Sequence, residues 1–297
     1  MQLAQVASIL AFAARAIAHG YIYRITADNT VYPGWDVRLD RALDPPPNRI
    51  AFGGGDVVPV TDANSPDIAC NKVHSPAPGD IAEVRAGSDV TFHWSRWLYS
   101  HKGPITAWMA PYDGDIADVD VNELEFIKFA EDTIDDNGVW GTVRMMDDTN
   151  GTWTATIPAD IKPGNYVIRQ EIIALHFAVG TPKGFELFPI GPQFYLTCFN
   201  FKVTGDGDAT PQGAKFPGAY DMEEAGLNFD LNSTELYPTV GPKVYQSAYS
   251  VDLEAKEHVV ISPTGQGEEA DEKYYEAQYQ VLKQQGDTVA YFDSIGG

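Results

Sequence analysis

Basic residues are scarce in this chain: 20 Lys and Arg stand against 42 Asp and Glu, a net charge of −22. A surface of that sign repels nucleic acid and anionic membranes and favours a neutral partner. Long apolar runs are missing as well. The strongest, residues 6–14, falls far short of the roughly 20 residues that a membrane helix needs. The chain also does not end in the hydrophobic run of a GPI signal. Cysteine is limited to Cys70 and Cys198. In an exported chain, an even pair so far apart reads as one disulfide rather than two free thiols. Closing a loop of that size contributes roughly 4 to 5 kcal/mol through chain entropy.

What the chain does carry is a leader. Residues 6–14 are apolar, and Ala16-Ile17-Ala18 fits the A-x-A pattern that signal peptidase accepts. Cutting after Ala18 makes residues 1–18 a signal peptide, places the protein outside the cell and leaves His19 first. Ala14-Arg15-Ala16 offers a competing cut that would leave Ile17 first. An amino-terminal histidine is a chelator, because its amine and its imidazole Nδ1 can hold one metal ion together. A second imidazole would complete a planar three-nitrogen set of the kind that suits Cu(II). The amine has a reference pKa of about 8, so it gives up its proton to a metal near neutrality. Removing the leader takes away Arg15 and no acid, so the mature chain is one unit more negative.

After His19 come short apolar stretches broken by Pro and Gly, a loop-rich β organisation. The first clear strand alternates Val90, Phe92 and Trp94 with Thr91, His93 and Ser95, which puts His93 on the face away from the core. Gly103-Pro104 then ends any regular element, leaving His101 in a loop at a strand end. Residues 120–130 read as a short helix or an irregular insertion with a wet, charged face. Further strands are predicted at 152–157, with Trp153, Ala155 and Ile157 on one face, at 165–175, and at 193–203. In the last, a period of two puts Gln193, Tyr195 and Thr197 on one face and Cys198 on the other. Short strands at turn-marked intervals argue for a β-sandwich. Beyond Thr204 the Gly, Pro and aromatic content reads as a long surface loop. Residues 246–297 read as an acidic, disordered tail with at most a transient helix. Asn150-Gly151-Thr152 and Asn232-Ser233-Thr234 are glycosylation sequons and mark surface loops.

The segments His19-Gly20-Tyr21, Ser65-Pro66-Asp67-Ile68-Ala69-Cys70-Asn71 and Ser100-His101-Lys102-Gly103-Pro104 occur in that order. Residues 168–176 (IRQEIIALH), 191–198 (GPQFYLTC) and 216–220 (FPGAY) follow them. In this arrangement the chain resembles the fungal lytic polysaccharide monooxygenases of auxiliary activity family 9 over residues 19–245. The resemblance implies an all-β fold, a fibronectin- or immunoglobulin-like antiparallel β-sandwich with long loops and a flat copper-bearing face. It implies one copper ion per chain, held by His19 through amine and ring and by His101, with Tyr195 in the axial position. His176 and Gln193 would be outer donors beside the metal, and Cys70–Cys198 matches the family's bridge.

The activity implied is copper-dependent oxidative cleavage of β-1,4-glucan such as cellulose, at C1 or C4. It would use O2 or H2O2 and an external small-molecule or protein electron donor. Such chemistry needs no pair of carboxylates flanking the scissile bond, unlike a glycoside hydrolase. Substrate contact is expected from a planar aromatic surface, with Tyr220 and Tyr237 as the candidate residues, and the protein is expected to be a monomer. Gln170 stands where relatives often have a histidine, and the loop between His176 and Gln193 is longer than usual. A hemicellulose such as xyloglucan is an alternative substrate. A non-catalytic secreted copper-binding protein of the same fold is the rival reading, although it need not keep His176, Gln193 and Tyr195.

Overall fold

The computed structural model describes residues 20–37, 39–54, 57–72, 77–95, 97–180 and 190–248. Two sheets face one another. The first runs β2 (Thr30–Pro33), β1 (Ile22–Ala27), β4 (Asp89–Trp94), β7 (Thr152–Thr156). The second runs β3 (Ala82–Arg85), β9 (Gln193–Thr204), β8 (Gly164–Ala174), β5 (Ile105–Tyr112), β6 (Ile127–Asp132). All these pairs are antiparallel except β3 with β9. The architecture is the expected β-sandwich.

The alternation read in β4 packs as period two requires. Val90, Phe92 and Trp94 are buried between the sheets, joined by Ile25 from β1, Trp153 and Ala155 from β7, and Phe199 and Phe201 from β9. The long β8–β9 pair runs in register from Gly164 opposite Val203 to Ala174 opposite Gln193. It forms the rigid spine of the larger sheet.

The outer face of that sheet is also covered, and a second apolar cluster lies there. Trp108, Ala110, Val167, Ile173 and Leu196 pack under loop residues including Ile68, Phe216, Tyr220, Leu227 and Val240. The stretch after Thr204 is therefore not a surface loop in the sense expected. It forms no helix or named strand among the described residues, yet its aromatic side chains seal a sheet face. Lys128 Nζ donates to Val240 O at 2.7 Å, and Tyr245 OH and Ala248 N donate to Asp160 Oδ2 at 3.0 and 2.6 Å. These bonds fix the last part of the strap.

Two further expectations meet the structure here. Residues 120–130 are not helical: Ile127–Asp132 is an edge strand whose Lys128 is buried and paired with Glu131 at 2.8 Å. A short helix, α1 (Gly141–Asp147), forms where none was predicted. Cys70 and Cys198 are disulfide-bonded, 128 residues apart in sequence. Both sequon asparagines, Asn150 and Asn232, are exposed in turns or loops. The expected tail from residue 249 onward and the leader, residues 1–18, lie outside the described residues.

His93 points away from the core as expected, but it is half-buried. Its Nε2 shares a 2.9 Å hydrogen bond with Thr26 Oγ1. Burial first, and then the neighbouring Arg24 guanidinium, lower its pKa from 6.5 to about 4. The unfolded chain therefore takes up this proton before the folded one does. The stability that neutral His93 contributes is complete above pH 6.5 and falls away as the pH drops towards 4. In urea unfolding, the stability difference between wild type and His93→Gln is expected to shrink as pH falls from 7 to 4.5.

Candidate metal centre

The site is built where the ends of three strand pairs meet. Ile22 of β1 lies opposite Trp94 of β4, so the chain before β1 runs beside the chain after β4. Two bonds continue that pairing: Tyr21 N donates to Ser95 Oγ at 3.0 Å and Ser95 N to Tyr21 O at 2.9 Å. Gly20 is consequently buried and lines one small cavity, of about 30 Å³, together with Trp94 and Tyr195. His19 lies outside the described residues, but the residue that follows it is thus placed beside Tyr195.

His101 closes a turn, with its N–H donating to Leu98 O at 2.9 Å. Trp97 Nε1 donates to His101 O at 3.1 Å, and Ser100 Oγ shares a 3.0 Å hydrogen bond with His101 Nδ1. The turn is then stitched to the end of β8: Leu175 N donates to Lys102 O at 2.9 Å and Ile173 N to Pro104 O at 3.1 Å. That close approach needs Gly103. A Cβ there would lie 1.8 Å from Ile173 O. The glycine read from sequence as a strand breaker is what lets the His101 loop lie against β8.

The result is a compact group. The His101 and His176 rings are 4.0 Å apart between centroids and 30° from parallel. Tyr195 lies 5.9 Å from His101 and 4.9 Å, edge-on, from Trp97. Ala174 opposite Gln193 and Ile172 opposite Tyr195 bring the two ends of the β8–β9 pair together. Tyr195 OH donates to Gln193 Oε1 at 2.7 Å. His101, Gln193 and Tyr195 are buried, and burial pushes the Tyr195 phenol well above its ordinary pKa, so it stays protonated. Gln170 lies elsewhere, buried in the sandwich interior opposite Thr197.

Family and relatives can now be stated beside this geometry. The sequence profile of Auxiliary Activity family 9 (formerly GH61) matches residues 19–239. The chain belongs to auxiliary activity family 9. It is 38% identical over 256 residues to "AA9 family lytic polysaccharide monooxygenase A" of Geotrichum candidum, covering 85% of each chain. It is 38% identical over 243 residues to the family's monooxygenase F of Malbranchea cinnamomea, covering 80% of this chain and 96% of that one. Some relatives are longer, and this chain spans 46% of monooxygenase C of Geotrichum candidum. Among solved structures, the extended catalytic domain of H. jecorina LPMO9A superposes with a TM-score of 0.68 at 30% identity, over 78% of this chain and 96% of that one. Members of the family are secreted, copper-dependent enzymes that cleave polysaccharides oxidatively.

The family's chemistry fits the donors present. Imidazole and amine nitrogens are good copper ligands, and the Ser100 bond to His101 Nδ1 is the outer-sphere contact that metal-bound imidazoles use. Among the described residues no group of three or more His, Cys, Asp or Glu could hold a metal ion. A two-histidine set completed by a terminal amine is not a group of that kind.

Two sequence-based assignments fail. Tyr220 was expected to contact substrate, but it is buried beneath the strap with its hydroxyl donating to Glu171 Oε2. A ring so enclosed cannot stack on a sugar. Tyr237 packs edge-on between Trp140 and Phe229, and its hydroxyl donates to Gly226 O at 3.1 Å. It braces the strap and is half-buried, not the open ring expected. Both were read as exposed from the Pro and Gly around them. The residues missed were Trp97, Ser100 and Gly103, and only the Gly-Pro pair carried a signal in the sequence.

Proposed function

We propose that this protein cleaves β-1,4-glucan chains, cellulose first among them, by copper-dependent oxidation at C1 or C4. His19, exposed by removal of residues 1–18, supplies amine and ring nitrogen to the metal, and His101 supplies the second imidazole. Tyr195 would stand next to these ligands, and His176 and Gln193 would act as donors beside the metal. The observation that carries this reading is the grouping of His101, His176, Tyr195 and Gln193, with Tyr195 lining the same small cavity as Gly20, just ahead of β1.

Bound there and reduced by an external electron donor, copper would supply the one-electron chemistry that lets O2 or H2O2 oxidise the carbon beside the glycosidic oxygen. The protein's part is positional. Ser100 holds the His101 ring by its Nδ1, so Nε2 would be the nitrogen that binds the metal. Gln193 accepts a hydrogen bond from the Tyr195 hydroxyl at 2.7 Å and so fixes the orientation of that phenol beside the proposed ligands. His176, half-buried with its ring 4.0 Å from that of His101, would be placed to donate to or accept from a group held there.

The test is incubation of the processed, copper-loaded protein with amorphous cellulose and ascorbate, with a metal-stripped control, followed by mass spectrometry of the released sugars. Oxidised oligosaccharides that require both copper and reductant are expected, and their masses identify the carbon attacked. Products from xyloglucan but not cellulose would move the substrate to a hemicellulose. No product from either, with copper tightly bound, would leave the non-catalytic copper-binding reading.

A further inference from the structure

Six large apolar side chains are exposed among the described residues: Val31, Ile81, Tyr99, Val179, Ile190 and Leu236. Single exposed apolar residues are ordinary on a protein surface. Their placement here is not scattered, because three of the six border the metal-centre residues. Tyr99 is 57% exposed and sits inside the four-residue turn that His101 closes on Leu98. Val179, 56% exposed, follows three residues after His176. Ile190, 67% exposed, precedes Gly191, whose N–H donates to Phe177 O at 2.8 Å. Phe177 in turn lies 4.2 Å from the His176 ring.

Tyr99 differs from the other five in being tethered. Its hydroxyl donates to Asp147 Oδ1, on the last residue of α1. A ring fixed at its polar end and open on its faces loses little further freedom when it binds a ligand. The ligand class follows from charge and shape. A chain carrying −22 disfavours anionic polymers, and the surface complementary to an open phenol ring is the C–H face of a neutral pyranose.

We infer that Tyr99, held in place by Asp147, is the aromatic contact that grips a neutral glucan chain beside His101, with Val179 and Ile190 extending the apolar rim past His176. This rests on the glucan-oxidising reading above and supplies the aromatic contact that neither Tyr220 nor Tyr237 provides. Asp147 touches no sugar; it is a positioning residue.

The experiment is a binding isotherm of the copper-loaded protein on amorphous cellulose without reductant, with melting temperature and copper content confirming each variant's fold. Tyr99→Ala is expected to weaken binding about three- to tenfold, the range of one aromatic contact, while Tyr99→Trp retains it. Leu236→Ala, which removes a still more exposed side chain elsewhere, should change nothing. Asp147→Ala should weaken binding in the wild-type background but not in Tyr99→Phe, where the tether is already gone, and Asp147→Asn should rescue it. Wild-type affinity in Tyr99→Ala, or an equal effect of Asp147→Ala in both backgrounds, would overturn the inference while leaving the enzyme's activity on glucan standing. A wild-type protein that neither binds nor oxidises cellulose or xyloglucan would overturn both.

Discussion

Replacing His101 with alanine is expected to abolish oxidised-sugar release and to weaken copper binding by well over 100-fold, since loss of an outer contact alone costs about 10 to 100-fold at metal sites. The fold should survive. His101 lies in a loop, and the contacts that hold that loop on β8 run through the backbone of Lys102, Gly103 and Pro104. Trp97 Nε1 donates to the backbone carbonyl of His101, which alanine keeps. A melting temperature within a few degrees of wild type, together with isothermal titration showing the loss of tight copper binding, would separate a ligand role from a structural one. A chain with one extra residue ahead of His19 should fail in the same way although every side chain is intact, because the amine would then be an amide. Copper binding that tolerates both changes would remove the basis for the proposed ligand set.

The likeness of these two variants bears on what the sequence could disclose. The proposed ligands were legible because their chemistry is local: a leader whose removal would expose His19, a loop histidine before Gly-Pro, and a strand that puts Gln193 and Tyr195 on one face. The strand alternation held in β4, whose burial follows period two. β5 was illegible for the opposite reason. Nearly every residue from Ile105 to Tyr112 is buried, on both faces, so no alternation exists to read. The charges at residues 120–130 suggested a wet element, yet Lys128 is buried because Glu131 and the Val240 carbonyl take its three-proton head. Tyr220 and Tyr237 were misplaced for a similar reason. A polar group looks solvent-bound in a sequence until its partner, distant in the chain, is known.

Glu171 is the partner that matters most, and Glu171→Gln is expected to cost about 3 to 5 kcal/mol, the usual penalty for stranding one member of a buried ion pair. In a domain of this size that amounts to a fall in melting temperature of roughly 10 °C. Glu171 and Arg169 are both fully buried on the outer face of β8. The carboxylate takes Arg169 Nη2 at 2.6 Å on one oxygen, and Thr106 Oγ1 at 3.2 Å and the Tyr220 hydroxyl on the other. Arg169 also donates to the carbonyls of Ile68 and Ala69 and lies 4.1 Å over the Phe216 ring. One carboxylate thereby ties together β5, β8, the segment leading into Cys70 and the strap.

Glutamine keeps the shape but leaves the guanidinium buried without a counter-charge, so the loss should come from the stranded cation rather than from missing volume. Replacing Arg169, Glu171 and Tyr220 together with Met, Leu and Phe removes that charge and should recover most of the stability. If the triple variant is instead less stable than Glu171→Gln, the network's value lies in its hydrogen bonds and not in charge balance. Either result reaches the metal centre, because β8 ends two residues before His176 and the strap packs on that strand's outer face. Copper affinity in the triple variant, at matched temperature below both transitions, would then report whether the outer face holds the His101–His176 pair in register or only keeps the domain folded.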